Sequence, residues 1–538
     1  MHHVKQAGIR AVPVAAEGWT QMKLTDLHDF NQALEHYSKD ALWALFDGRK
    51  DDFNIATECI GRYAKDSSAL AVRVAYADGR REALTFAQID GRSAQFANWL
   101  VDQGIEKGDR VAFMLEPCEA FYTAMFGALR QGAIGVPLFT LFGPDGLRLR
   151  VEDCRPKLLI TNAEKAESAR GIDGLQVVIA DDSFFSELDG YPKTFESKTR
   201  ADDLAIFQYT SGTTRELPAA VKHTHGALVV LMTAALYGTG IRPGDVFFCP
   251  SSPAWGHGLW HGTLAPLALG VTTGTLSGRF DAGNLIDALE EFGVTNLSAA
   301  ATHYRMMKLS GKAEGRHYKL KKLSYTGEPI DSDTLDFIER VFHLPVCSMY
   351  GTTEIGVVLV NYPGASDYRV KPGSLGKPTP GVSLEVRDAS GKPCEPGRIG
   401  ELFLLRRGEW LSTKDLAQID EDGYFYHAGR ADDVIISAGW TMSAVEIENV
   451  LQKHPSVAEV AVIGVDDSVR GKIVKAFVVA KGSVADDLVQ ELQSFTRQHL
   501  SQHEYPRIID FVQDLPKTPA GKINRKILRD QEAALAIG

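Results

Sequence analysis

Apolar residues recur at helical spacing along FAQIDGRSAQFANWLVDQG (Phe86–Gly104), which predicts an amphipathic helix closed by a glycine. The run DRVAFML (Asp109–Leu115) predicts a buried strand. AFYTAMFGALRQG (Ala120–Gly132) returns to helical spacing, and AIGVPL (Ala133–Leu138) to a strand. This strand–helix–strand rhythm runs through most of the chain and predicts a largely parallel α/β architecture. ALVVLMTAAL (Ala227–Leu236) is the longest apolar run and reads as a buried helix. It falls far short of the ~18 apolar residues that a membrane helix needs.

The pattern changes after KPGSLGKPTPG (Lys371–Gly381). VSLEVRDASGKPCEPGRIGELFLL (Val382–Leu405) reads as short strands joined by turns, and DEDGYFYHAGRADDVI (Asp420–Ile435) as a turn-rich stretch with a run of charges. A compact α/β unit follows. SAVEIENVLQKHP and DDLVQELQSFTRQHL are its helices; VAEVAVIGV and KAFVVA are strands. Two domains are expected, residues 1–430 and 431–538, with the boundary near Arg430–Asp433.

A length of 538 residues agrees with more than one domain. The net charge of −11 argues against a nucleic-acid backbone as partner, but a few local donors suffice for a nucleotide. Six cysteines lie scattered without a CxxC pair, which speaks for reduced thiols and a cytoplasmic location. The N-terminus lacks the apolar core of a signal peptide.

In YTSGTTRELPAAVKHTHG (Tyr209–Gly226), small hydroxyl residues and a glycine crowd into Thr210–Thr214. Backbone N–H and side-chain O–H groups can converge on phosphate in such a loop. It does not match GxxxxGK[ST], and taken alone a Ser/Thr-rich surface turn explains it equally well. Downstream come YTGEP (Tyr325–Pro329), YGTTE (Tyr350–Glu354), STKDLAQIDEDGYFYHAGRADD (Ser412–Asp433) and LPKTPAGKINRK (Leu515–Lys526).

With these motifs in this order, the chain resembles the adenylate-forming superfamily, closest in look to short/medium-chain or aryl acyl-CoA ligases. The resemblance covers roughly Thr85 to Arg529. It implies a large multi-subdomain N-terminal domain that binds AMP and the acid, plus a small mobile C-terminal α/β domain that carries the catalytic lysine. It also implies the chemistry. ATP with Mg²⁺ activates a carboxylate to an acyl-adenylate, and the thiol of coenzyme A then takes the acyl group. The partners are thus small molecules, and a homodimer is allowed.

The resemblance assigns roles residue by residue. Thr210, Ser211, Gly212, Thr213, Thr214 and Arg215 would wrap the phosphates. Gly327, Glu328 and Pro329 would pass one face of adenine, with Met349, Tyr350, Gly351, Thr352 and Thr353 on the other side. Glu354, with Thr213, would hold Mg²⁺. Asp415, aided by Arg430, would receive the ribose hydroxyls. Lys522 and Arg430 would be catalytic. Asp432 would be the hinge, and Ala438, Gly439 and Trp440 would line the coenzyme A channel. Each residue also has a plain structural reading, such as a packed tyrosine, an ion pair or a solvated lysine; the five motifs together outweigh these.

Two departures stand out. The family loop continues Gly-x-Pro-Lys-Gly, whereas here Arg215 replaces the glycine and Ala219 falls at the lysine position. Arg215, or failing that Lys222, is expected to supply the missing charge. Lys414 stands where the family has glycine before the ribose aspartate. SSPAWGHGLWHGTLAPLALG (Ser251–Gly270) occupies the place of the acyl pocket. Trp255, Gly256, His257, Ala300 and Tyr325 are the lining expected of it, with Trp260, Gly258 and Tyr304 contributing. His257 and His261 are expected to be hydrogen-bonded core histidines. Pro253 and Ala254 stand where peptide-synthetase domains place an aspartate for an ammonium, so the expected substrate is an apolar medium-chain, alicyclic or aryl carboxylate. The alternatives are an acyl-AMP ligase that loads a separate carrier protein, and an idle nucleotide- or acyl-binding member.

Overall fold

The computed structural model describes residues 22–209, 220–328, 330–352, 355–430, 434–437, 440–467, 471–500, 505–517 and 523–537. The expected helix at residue 86 spans Phe86–Asp102. Thr85 Oγ1 accepts from Gln88 N while Gln88 Oε1 accepts from Thr85 N, a reciprocal cap that fixes the first turn. The next helix, Glu119–Gln131, ends on Gly132 at φ 97°, where a side chain would be strained.

These helices cover a six-stranded sheet in the order Gln176–Ile179, Leu158–Thr161, Arg110–Met114, Ile134–Pro137, Leu204–Gln208, Val221–Thr224. Its strands are parallel except the last, which returns antiparallel beside Leu204–Gln208. A nine-stranded sheet has a parallel centre: Val346–Thr352, Lys322–Thr326, Asn296–Ala300, Val246–Phe248, Thr272–Ser277 and Leu70–Tyr76. Ala227–Tyr237 is the buried helix its composition predicts.

An antiparallel sheet of four strands follows: Leu384–Arg387, Gly400–Arg406, Glu409–Ile419 and Phe425–Arg430. Its second hairpin turns on Arg407 (φ 54°) and Gly408 (φ 84°), the doubly left-handed turn that matches strand twist. The stretch read as turn-rich is only half so. A turn at Asp420–Gly423 is followed by a strand, because Phe425 is buried against Leu359, Leu402 and the rest of that layer, and Ala428 is buried as well.

The last sheet contains Val434–Ser437, Trp440–Ser443, Gly471–Ala480, Val457–Asp467 and Ile508–Phe511, with helices Ala444–Leu451, Leu488–His499 and Arg525–Ile537. It has its own apolar core around Ile447, Leu451, Val462 and Leu492. All six cysteines are free thiols. No helix among the described residues is long and apolar enough to cross a membrane.

Candidate active site

Parallel strands deliver their C-terminal ends to one edge of a sheet, where ligands bind in open α/β folds. Here that edge receives the loop after Val246–Phe248, Ala300 at the end of Asn296–Ala300, Gly327 after Lys322–Thr326, and Tyr350 near the end of Val346–Thr352. Four of the predicted segments therefore converge.

Gly327 has φ 100°, and a Cβ on it would lie 3.3 Å from Cη2 of Trp255. The glycine lets the adenine-side loop settle against the acyl segment. The Glu328 side chain turns away from it, with Oε1 accepting from Thr302 Oγ1 at 2.6 Å and from Arg305 at 3.3 Å. Glu328 thus ties the loop to helix Ala301–Ser310, which leaves only its backbone for the adenine contact expected of it.

Gly351 permits a tight hairpin, since a Cβ would fall 2.0 Å from the carbonyl oxygen of Gly356. Met349 is buried under Gly238. Tyr350 Oη donates to Asp415 Oδ2 at 2.5 Å. Asp415 is only 5% exposed, its Oδ1 lies 3.6 Å from His427 Nε2, and its backbone pairs in register with Arg430. Lys414, just before it, has φ 64°. The chain needs left-handed backbone at this point, which is why glycine suits it and lysine is strained.

The phosphate-loop residues Thr210, Ser211, Gly212, Thr213, Thr214 and Arg215 lie outside the described residues, but both flanks are fixed. Tyr209 Oη donates to Asp153 Oδ2 at 2.7 Å and to Arg150 O at 3.0 Å, and Ala220 N donates to the same Asp153 oxygen at 3.2 Å. Burial, then the neighbouring Cys154 and Asp153, pushes the Tyr209 phenol up, so it stays a donor. Lys222 pairs with Phe207 across the hairpin and rests its ammonium 5.1 Å over that ring.

The acyl segment contains a π-helix, His257–Leu264, a widened turn that recurs at functional sites. His257 is a core histidine as expected: Nδ1 lies 2.9 Å from Ser251 Oγ and Nε2 2.9 Å from Ser298 Oγ. Burial pushes its pKa well below the usual value. His261 differs from expectation, because its Nδ1 is buried without a partner among the described residues. Gly258 does not widen a slot; a Cβ there would meet the Ser252 carbonyl oxygen at 2.1 Å, so backbone packing requires it. Tyr304 does not face a pocket either. It is fully buried and donates to Ser324 O at 3.0 Å. Tyr325 is buried, its phenol pushed up to about 12 by burial. Ala300 lies at the strand end and donates its N–H to His303 Nδ1 at 3.2 Å.

Pro329, Thr353, Glu354, Asp432, Ala438, Gly439 and Lys522 also lie outside the described residues, and of Thr352, Arg430 and Trp440 only the backbone is described. The flanks of Lys522 are nevertheless fastened. Lys517 and Ile523 form an antiparallel bridge, Asn524 N donates to Pro516 O at 2.7 Å, and Arg525 grips Glu448 with two nitrogens at 2.9 and 2.5 Å. Lys517 is engaged by Glu459 at 2.9 Å.

Sequence reasoning missed Gln208, Asp153 and the carboxylate grip on Arg525. Gln208 had a signal: it is the polar residue of AIFQY, otherwise an apolar strand leading into the loop.

Comparison with known families decides the assignment. Residues 64–412 match the model of the AMP-binding enzyme, and residues 446–522 that of the AMP-binding enzyme C-terminal domain. The chain belongs to the AMP-binding enzyme family. Among curated proteins it is 32% identical to an acetyl-coenzyme A synthetase of Bacillus subtilis, over 95% of this chain and 96% of that one. Among solved structures it is similar to a Brucella canis acyl-CoA synthetase (TM-score 0.73, 32% identity, 95% of this chain and 100% of that one). It is also similar to an anthranilate CoA ligase in complex with anthranoyl-AMP (TM-score 0.80, 26% identity, 91% and 99%). The fold is that of adenylate-forming enzymes, and the chain is an acid–thiol ligase of the acyl-CoA synthetase type.

Proposed function

We propose that this AMP-binding enzyme converts an apolar medium-chain, alicyclic or aryl carboxylate, ATP and coenzyme A to the acyl-CoA, AMP and pyrophosphate. The observation that carries the nucleotide half is the buried carboxylate of Asp415. It is held by Tyr350 Oη at 2.5 Å and set opposite Arg430, beside the loop where Gly327 meets Trp255. An acceptor so fixed favours ribose hydroxyls, and hydrogen bonds to a charged group are worth about 1.5–3 kcal/mol.

In the first step a carboxylate oxygen attacks the α-phosphorus and pyrophosphate leaves. Lys522 and Arg430 stabilise the charge that builds there, which lowers the transition state more than the ground state. Arg215 and the hydroxyls of Thr210–Thr214 hold the leaving phosphates. Mg²⁺ supplies charge neutralisation when bound, and Glu354 with Thr213 would hold it. In the second step the coenzyme A sulfur attacks the acyl carbon and AMP leaves. The domain of residues 431–538 turns about Asp432 and presents Ala438, Gly439 and Trp440 to the thiol arm. Six free cysteines fit a cytoplasmic setting.

The test is pyrophosphate release with ATP-Mg²⁺ over acetate, octanoate, benzoate and cyclohexanecarboxylate, with and without coenzyme A. Coenzyme-A-dependent turnover on the apolar acids is the expected result. Release that needs no coenzyme A, with adenylate accumulating, points instead to loading of a carrier protein. No release from protein that still binds ATP makes the chain an idle member.

A further inference from the structure

Beside the acyl segment, one indole is flanked by two buried polar atoms that have no partner among the described residues: Nε2 of Gln208 and Nε2 of His223. Gln208 is 1% exposed. Its Oε1 accepts from Trp260 Nε1 at 2.9 Å, so the amide's NH₂ is the end left without an acceptor. His223 lies on the same face of the hairpin, because Ile206 pairs with His223 and Gln208 with Val221. Its ring centroid is 4.7 Å from that of Trp260.

An unpaired buried donor is costly, and native interiors rarely leave one without a reason. Gly256 faces the amide, and a Cβ built there would sit 3.6 Å from Oε1 and 3.9 Å from Nε2 of Gln208, with nothing closer. No charged side chain among the described residues is set against the Gln208 amide or the His223 ring. Burial pushes His223 down to about 4, and Lys222 points to the opposite face of the hairpin, over Phe207. A second carboxylate would find no cation among those residues, and an ammonium no anion. A hydroxyl offers both complementary roles: its oxygen accepts from an amide such as that of Gln208, and its proton goes to a neutral imidazole nitrogen such as that of His223.

We propose that the acid this enzyme activates carries a hydroxyl on its acyl part, read by Gln208 and His223 beside Trp260. The proposal rests on the ligase reading above and narrows its substrate class to acids whose otherwise apolar acyl part bears a hydroxyl.

The experiment compares matched acids by pyrophosphate release with coenzyme A: 3-hydroxybutyrate with butyrate, 6-hydroxyhexanoate with hexanoate, and 4-hydroxybenzoate with benzoate. For at least one pair, kcat/KM should favour the hydroxy acid by about tenfold or more, the discrimination expected of a site built to hydrogen-bond its substrate. In Gln208→Leu that ratio should fall toward unity. Gly256→Ala, whose methyl fits at ordinary contact distance, should lower it as well. A wild-type enzyme that favours the unsubstituted acid in every pair overturns the proposal, and so does a Gln208→Leu enzyme that turns over with the ratio intact. Absence of release with every acid overturns the ligase reading instead. The wild-type comparison stands even if a variant fails to fold.

Discussion

Tyr350 and Asp415 come from different sheets, yet the phenol of one donates to the carboxylate of the other at 2.5 Å. The contact ties the end of the large parallel sheet to the antiparallel sheet that carries Arg430. Tyr350→Phe keeps the ring and removes the donor. We expect kcat/KM for ATP to fall about tenfold, the size of one hydrogen bond to a charged group. Asp415→Ala should fall much further, since the proposed ribose acceptor itself is gone. Steady-state kinetics with ATP varied checks both; equal losses would mean that the phenol, not the carboxylate, is the essential group.

Lys414 holds a backbone conformation that costs a side-chain-bearing residue about 1–2 kcal/mol. Lys414→Gly should therefore be more stable than Lys414→Ala by about 1 kcal/mol, after the glycine's extra unfolded-state entropy is subtracted. Urea unfolding of the two variants measures the difference directly. The Ala variant controls for loss of the lysine side chain.

One carboxylate oxygen of Asp153 receives both ends of the phosphate loop, from Tyr209 Oη and Ala220 N. Asp153→Ala should raise the KM for ATP several-fold and leave the KM for the acid nearly unaltered, because the loop flanks are released while the acyl segment is not. Arg215→Ala should raise the same KM if Arg215 replaces the missing loop lysine. An unchanged ATP KM in both variants would show that the loop holds its phosphates without either residue.

Burial pushes His223, His225, His261 and His303 down to about 4, and His257 further. Unfolding exposes them to water, where histidine titrates near ~6.5. Between those values the unfolded chain binds more protons, so stability is full above ~6.5 and is lost as pH falls toward ~4. Urea midpoints should hold from pH 7.5 to about 6.5 and then drop steadily to pH 5.0. A flat profile over that range would mean that these imidazoles gain their protons without unfolding.

Much of the fold was legible because helix and strand periods differ and the apolar runs were clean, as in Phe86–Asp102 and Arg110–Met114. Phe425–Arg430 was hidden because its glycine and charges read as turn, while what makes it a strand is pairing with the remote Glu409–Ile419. At the site, local motifs pointed to Asp415 and Tyr350, whose spacing in the chain is diagnostic. Tyr304 misled because an aromatic near a pocket segment carries no mark of which way it faces; its hydroxyl goes to Ser324 O. Gln208 and Asp153 act through partners distant in sequence, Trp260 for one and the two loop flanks for the other. Nothing local encodes such pairings.

The bridge between Lys517 and Ile523, with Arg525 gripped by Glu448 close behind, works as a mooring. Glu448 also accepts from Val462 N at 2.7 Å, so the ties run into the sheet strand itself. Both flanks of the stretch 518–522, which includes Lys522, are thereby lashed to the small domain's framework. If Lys522 plays the part proposed for it, its charge travels as cargo: to bring it to a phosphate or take it away, the enzyme must steer the whole vessel. On that proposal the timing of the two half-reactions belongs to how the domain docks, and substitutions on its docking face, far from Lys522, would alter the first step as surely as changing the lysine.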